Sequence, residues 1–345
     1  MAAMPAKRPV TREDVARYAQ VSAAVVSYVV NKGPKRVRPA TEARVLDAIR
    51  VLGYRPNAAA RALKLRSPEM IGLVLAAGGN ALFVELANYI QDYAKDEGFA
   101  LILANSRGSV HKEREHLRTL AARQLDGVLL ASVMYEPDVG DLTRLGVPVL
   151  LLDSTGAQPG APSIGTDLQA GAELAVRHLI GHGHRDIGLI LGAKEGSSGD
   201  GREQGWLKAL GDAGLAEGPT FRAPANRLAG YQAGQRMLKS GRVPTALFVG
   251  SDAQAIGVLR ALHEAGLKIP QDIAMVSFDG SAEAEYAWPA LTTVRQPIPQ
   301  MARDAVDHLL RKSGDGQATH RSYQTELLVR QSCGCTPAAD RPGSD

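Results

Sequence analysis

At 345 residues the chain is long enough for two or three domains, and its 45% apolar and 22% charged residues are ordinary for a water-soluble fold. No run of about 18 apolar residues occurs, which excludes a membrane-spanning helix, and the start MAAMPAKRPVTRED lacks an apolar stretch of signal-peptide length, which points to the cytoplasm. The net charge of +4 hides an asymmetry: residues 1–66 hold 14 Lys and Arg against 4 Asp and Glu, a net +10, so the remainder carries −6, and such a head is the footprint of a polyanion-binding module, with nucleic acid the foremost partner.

Residues 8–56 read as a small all-α domain. Thr11 is placed to cap a helix over residues 12–19, whose first turn holds Glu13 and Asp14 as the helix dipole prefers. Ser22 caps a second helix, AAVVSYVVN, in which Val26, Val29 and Val30 share an inward face and Ala23, Ala24, Ser27 and Tyr28 are left outward. A third helix runs from about Pro39 to Leu52, with Pro at its first position, Gly53 as its cap, and Val45, Ile49 and Leu52 on one face. Two short helices across a tight turn have helix-turn-helix spacing, so the second is placed to enter the major groove. The candidate base-reading residues are Ala23, Ala24, Val25, Ser27 and Tyr28.

Residues 57–69 form a hinge helix and linker. In RPNAAARALK, Asn57 can cap a helix through the alanines to Leu63. It is less than two turns long, and nucleation makes such a helix marginal in water unless something docks against it. This segment, VTREDVARYAQVSAAVVSYVVNKGPKRV and ATEARVLDAIRVLGYRPNAAARAL, in register over about fifty residues, resembles the head of the LacI/GalR (lactose and galactose repressor) family of bacterial transcription regulators. The resemblance implies that paired hinge helices enter the minor groove, where Leu63 wedges a base step and Lys64 reaches phosphate. The departures are informative. Gln20 stands where the family usually has Gly, which demands a left-handed conformation costing about 1 kcal/mol, and Arg38 replaces a capping Ser or Thr. Val25 and Tyr28 replace a frequent Thr and Arg, so the base read there should differ; the other reading of Tyr28 is packing against the third helix.

Residues 70–335 alternate short apolar runs with helical stretches. MIGLVLA, ALILA, GVLLAS, PVLLLD, IGLIL, ALFVG and AMVSFD are buried-strand candidates, and helices are expected near 81–98, 113–123, 168–182, 201–213, 228–240 and 251–265. This order predicts an α/β body of parallel sheets. It resembles the two-lobed periplasmic-binding-protein-like body of the same family, which implies lobe crossings near 162–166, 291–296 and 321–326 and a helix at 298–310 that returns to the first lobe. By the same resemblance the effector cleft takes Asn80, Phe83 and Asp153 from one lobe and Arg202, Ser251 and Asp279 from the other. Arg202 and Asp279 as donor and acceptor, with Phe83 as an apolar face, suit a polyhydroxylated, sugar-like ligand. Each has a structural alternative: a lobe-interface salt bridge for Arg202 with Asp279, plain core for Phe83, a loop cap for Asp153. Ala225 stands where many sugar-responsive members carry an aromatic, so a stacking platform is missing, and Ser251 where Asn is common; these departures leave open an effector smaller than a hexose, less planar, or not a sugar.

The end VRQSCGCTPAADRPGSD is polar, so disorder is expected, with residues 336–345 a tail; it has no leucine heptads for a tetramerising coil. Its two cysteines, Cys333 and Cys335, have no His near them in sequence and read as incidental surface thiols, so no metal or other cofactor is expected. The leading reading is a homodimeric, ligand-responsive transcriptional regulator, a repressor, with a double-stranded operator and a small-molecule effector as partners and no membrane. The alternative is a solute-binding receptor without a DNA role. An enzyme is disfavoured: the phosphate-loop, dinucleotide, G-x-S-x-G and H-E-x-x-H motifs are all missing.

Overall fold

A computed structural model describes residues 8, 10–30, 36–55, 68–77, 79–123, 125–134, 136–153, 156, 160–192, 200–310 and 319–335. The hinge, with Leu63 and Lys64, and the tail 336–345 lie outside them. The chain divides into two compact units that meet between Pro68 and Glu69.

In the first unit, α1 (Arg12–Tyr18), α2 (Ala23–Val30) and α3 (Pro39–Leu52) enclose a core of Val15, Ala16, Ala19, Val26, Val45 and Ala48. Thr11 closes a reciprocal capping box with Asp14, which satisfies two of the orphan donors at the start of α1. The turn into α2 needs φ = 50° at Gln20, the left-handed conformation expected there. Ser22 Oγ accepts from the Val25 amide at a long 3.4 Å. Arg38 offers no side-chain cap, and Gly53 ends α3 at φ = 64°.

The second unit holds two sheets. In the first, β1 (Met70–Leu75), β2 (Ala100–Asn105), β3 (Gly127–Ala131), β4 (Val149–Leu152), β5 (Ser163–Thr166) and β11 (His320–Tyr323) stand in the order β11-β5-β4-β3-β1-β2, all parallel. In the second, β6 (Ile187–Leu191), β7 (Thr220–Arg222), β8 (Ala246–Val249), β9 (Ala274–Asp279), β10 (Thr292–Arg295) and β12 (Glu326–Leu328) stand in the order β12-β10-β9-β8-β6-β7. The β10–β12 pair is antiparallel, a departure from the expected all-parallel sheets. Its cause is the crossing: β10 runs towards the first lobe, whereas β12 enters the second sheet from that lobe, two residues after β11.

Helices cover both faces of each sheet, as crossovers require. α4 (Ala81–Asp96), α5 (Val110–Ala121) and the short α6 (Gly140–Arg144) belong to the first lobe; α7 (Leu168–Gly181), α8 (Gly201–Asp212), α9 (Arg227–Lys239), α10 (Asp252–Glu264) and α11 (Ala282–Glu285) belong to the second. α12 (Ile298–Leu310) returns to the first lobe and buries Met301, Ala305 and Leu309 beside Leu86 and Ile90 of α4, as the resemblance implies. Close helix contacts depend on glycine: a Cβ at Gly257 of α10 would lie 2.0 Å from the Arg227 carbonyl oxygen of α9.

The carboxyl end corrects the sequence reading as far as Cys335. Ser332 is buried, receives the Met275 amide at its carbonyl and donates its hydroxyl to the Met275 carbonyl, which stitches residues 329–335 to β9. Cys333 is 1% exposed, not an incidental surface thiol. Burial pushes its thiol up, but hydrogen bonding with His178, Thr292 and Cys335 outweighs this and brings it down to about 7.

Candidate DNA-reading helix and effector cleft

α2 is apolar nearly all round, so its stripe is wider than the sequence pattern alone suggests. Ala23 lies one turn before Val26 and two before Val30, on the same stripe, and packs with Val25 against the head core. That corrects the outward placement of Ala23 and turns Val25 partly to packing. Ala24 is exposed, Ser27 and Tyr28 are half-buried, and Tyr28 is not among the side chains packed on that core. Arg8, Arg12, Arg17, Arg36, Arg38, Arg44, Arg50 and Arg55 are exposed, all but the first three of these following α2 in the chain, so the head keeps a positive surface of the kind a phosphate backbone attracts.

The cleft residues lie at or beyond the carboxyl ends of strands. Asn80 caps α4, its Oδ1 accepting from the Leu82 amide at 3.0 Å, while its Nδ2 donates across the lobes to Asp279 Oδ2 at 3.3 Å. Gln296 donates to Asp279 Oδ1 at 3.3 Å and accepts from Thr166 Oγ1 at 3.1 Å, so one polar chain links the crossing segments. Phe83 is 8% exposed within the first-lobe core, which is the structural alternative for that residue. Asp153 follows β4 at φ = 55° and is close enough to act electrostatically on both Arg202 and Asp279.

Arg202 is held chiefly by a residue that sequence reasoning missed. Its Nε and Nη2 engage the two oxygens of Asp200 at 2.9 and 2.7 Å, and Nη1 donates to the Gly250 carbonyl at 2.7 Å. Burial works against the guanidinium charge, but Asp200, then Asp279 and Asp153, more than offset it and raise the pKa. The structural salt bridge is therefore Arg202–Asp200, two positions apart in GDGREQGW, instead of Arg202–Asp279. Ser251 is likewise committed: its hydroxyl caps α10 by accepting from the Gln254 amide at 3.2 Å and donates to Gln254 Oε1 at 3.0 Å.

Asp252, beside Ser251, is the second residue missed. It is 1% exposed and accepts from Ser277 Oγ, Thr293 Oγ1, and the amide and hydroxyl of Ser281 at 2.6 to 2.8 Å. It thereby fixes the loop after β9. There Asp279 sits at φ = 122° and Gly280 at φ = 74°, where an added Cβ would lie 2.4 Å from Arg295 Cα. Such backbone strain persists only where surroundings enforce it. Burial, and then the Asp252 charge, raise Asp279 well above the usual carboxylate range, with Arg202 and the Asn80 amide opposing. The signal in the sequence was the acid-rich punctuation GSD and SFDG at two strand ends.

Comparison with known proteins gives concordant results. Residues 11–57 match the family described as bacterial regulatory proteins, lacI family, and residues 176–333 match a periplasmic binding protein-like domain. An HTH-type transcriptional repressor PurR from Photorhabdus laumondii subsp. laumondii is 35% identical over 339 residues, 96% of this chain and 98% of the relative. One from Edwardsiella ictaluri is 36% identical over 305 residues, 87% of this chain and 89% of the relative. Among solved structures, the lac repressor dimer bound to operator and the anti-inducer ONPF aligns with TM-score 0.81 at 29% identity, covering 94% of this chain and 99% of that one. A transcriptional regulator CelR–cellobiose complex aligns with TM-score 0.68 at 29% identity, covering 94% and 100%.

Proposed function

The chain belongs to the lacI family of bacterial regulatory proteins, and from that premise we propose how it works: it is a ligand-responsive, DNA-binding transcriptional repressor that binds its operator as a homodimer. Members of this family are regulators, not a class of enzymes. Among the described residues no helix is long and apolar enough to cross a membrane, and we place the protein in the cytoplasm with the nucleoid DNA. The division of labour is a reading head at 8–56, a hinge and linker at 57–69, a two-lobed effector and dimerisation body at 70–335, and a tail beyond.

Ala24, Ser27 and Tyr28 read base edges, with Ala23 and Val25 setting the depth of the helix in the groove. Leu63 and Lys64 serve the minor groove. Support for this comes from the Ala-rich hinge sequence and from an apolar wedge's ability to offset unstacking by bending DNA onto more protein surface.

The effector is a neutral, hydroxyl-rich small molecule of the sugar class. Among the described residues the cleft sets Arg202 amid Asp153, Asp200 and Asp279, an inventory rich in acceptors for ligand hydroxyls. A similar regulator solved with cellobiose supports the same class. One observation carries the coupling: the Asn80–Asp279 bond passes from lobe to lobe. A ligand hydroxyl that takes the Asp279 carboxylate displaces that amide, and a change between the lobes reaches the head through a hinge helix that is only conditionally stable.

The test is operator selection from a random DNA pool, repeated with candidate sugars, followed by affinity measurements on Asp279→Ala. The variant is expected to keep operator affinity and lose the response to effector. Equal loss of folding and of DNA binding would assign Asp279 to structure alone. Leu63→Ser is expected to weaken specific binding far more than non-specific binding and to reduce DNA bending; wild-type bending by that variant removes the wedge.

A further inference from the structure

The second lobe gathers four soft donor side chains that neither operator binding nor the cleft uses. His178 and His182 stand one turn apart at the carboxyl end of α7, and Cys333 and Cys335 lie on the final described turn, against that helix. One donor atom from each residue lies within 4.8 Å of all the others. Cys335 Sγ is 3.2 Å from His182 Nε2 and 3.8 Å from His178 Nε2, contacts between residues 153 and 157 positions apart.

We propose that His178, His182, Cys333 and Cys335 form a Cys2His2 site for zinc or a similar thiophilic divalent ion, which clamps the carboxyl-terminal segment to α7. Tetrahedral zinc, with Zn–S near 2.3 Å and Zn–N near 2.0 Å, needs donors about 3.3–3.8 Å apart, so closing the shell takes at most about 1.5 Å of contraction. Two thiolates and two imidazoles select zinc over calcium or magnesium, which prefer oxygen. The H-x3-H pair has usual zinc spacing on a helix. The Cys pair is one residue closer than the usual minimum, and Gly334, at φ = 93°, supplies the left-handed residue that turns both sulfurs to one side.

The surroundings fit a thiolate. The Thr292 hydroxyl accepts from the Arg330 amide at 2.8 Å and turns its own hydrogen to Cys333 Sγ at 3.1 Å, an outer-layer hydrogen bond of the kind that orients metal ligands. As a thiol, Cys333 reaches the Arg330 carbonyl at a long 3.5 Å. Cys333 is buried while His182 is exposed, so an ion would be held on the lobe yet reachable from solvent. Ser332 joins this turn to Met275 and Thr292, so a bound ion would brace the two strands that end at Asp279 and Arg295.

Cobalt titration of the full-length protein, reduced and stripped of metal by chelation, tests this. One equivalent per chain is expected to give the visible absorption of tetrahedral cobalt and a near-ultraviolet thiolate-to-cobalt band, both bleached by one equivalent of zinc, which also raises the melting temperature. His182→Gln and Cys335→Ser, at partly or fully exposed positions, are expected to lose the absorption and the zinc-dependent melting shift while keeping operator affinity. An octahedral spectrum without the thiolate band, full absorption in both variants, or a Cys333–Cys335 disulfide in the reduced preparation overturns the site. Operator binding, measured on the same samples, decides the repressor reading separately.

Discussion

The head and the cleft place their working residues by different means. The head's candidate reading residues fall between Ala23 and Tyr28 on one helix, held by a core drawn from Val15 to Ala48. The cleft's residues arrive from separate strand ends, with Asn80 and Asp279 meeting across 199 positions. Reading residues of the head are therefore free to change without undoing the helix that carries them. Cleft residues each hold a second duty: Asn80 and Ser251 cap helices, Arg202 neutralises Asp200, and Asp279 bridges lobes. Substitution in the head should alter specificity at little cost in stability, and substitution in the cleft should alter both together.

The largest expected effect is from Arg202→Ala. It removes the guanidinium from Asp200, whose side chain is 10% exposed, and breaking such a buried ion pair costs about 3 kcal/mol. Urea unfolding followed by the fluorescence of buried Trp206 should show this loss along with loss of the effector response, while the folded fraction still binds operator. A wild-type urea midpoint would break the comparison, since Arg202 would then serve ligand alone.

Asp279→Asn sharpens the same point through pH. The raised value means the folded protein holds this proton more tightly than the unfolded chain, whose Asp titrates near 3.9. The wild-type contribution is full below that pH and is lost as pH rises towards the folded value, a loss the neutral amide does not share. The stability of Asp279→Asn relative to wild type should therefore climb with pH from about 4 upward. A pH-independent difference would show that the carboxylate is fully compensated where it stands.

Tyr28→Arg should change the preferred base in the half-site by about 1–3 kcal/mol if a bidentate guanine contact forms, with the melting of the head nearly unchanged. Altered melting with an unaltered base preference would make Tyr28 a packing residue and bring head and cleft into line. Smallest is Gln20→Gly, expected to stabilise the head by up to about 1 kcal/mol by relieving its left-handed φ of 50°, with no change in the bases preferred. Calorimetry of the head transition measures it.

Much of the architecture was legible because it is local. The seven apolar runs are strands, the six helical stretches of the body are helices, and the caps Thr11, Ser22 and Gly53 act within a turn of where they stand. The strands β5, β7, β10, β11 and β12 are only three or four residues long and carry polar residues such as Thr292, Arg321 and Glu326, so periodicity had too little to act on. Among site residues, the types and places of Asn80, Arg202 and Asp279 were readable, but their partners were not.

By itself the sequence determined the helix-turn-helix head, the parallel α/β order and the positive charge of the head, since capping, periodicity and charge are properties of neighbouring residues. Tertiary structure alone decided that Asp200 and not Asp279 pairs with Arg202, that β12 runs against β10, and that Ala23 turns inward. It also decided that two cysteines with no histidine near them in sequence stand within 4.8 Å of two histidines on a helix more than 150 positions earlier. The physical reason is shared: hydrogen bonds, ion pairs and ligand shells reach only a few ångströms, and which side chains, near or far in sequence, come within that reach is set by how sheets and helices stack to bury their apolar faces.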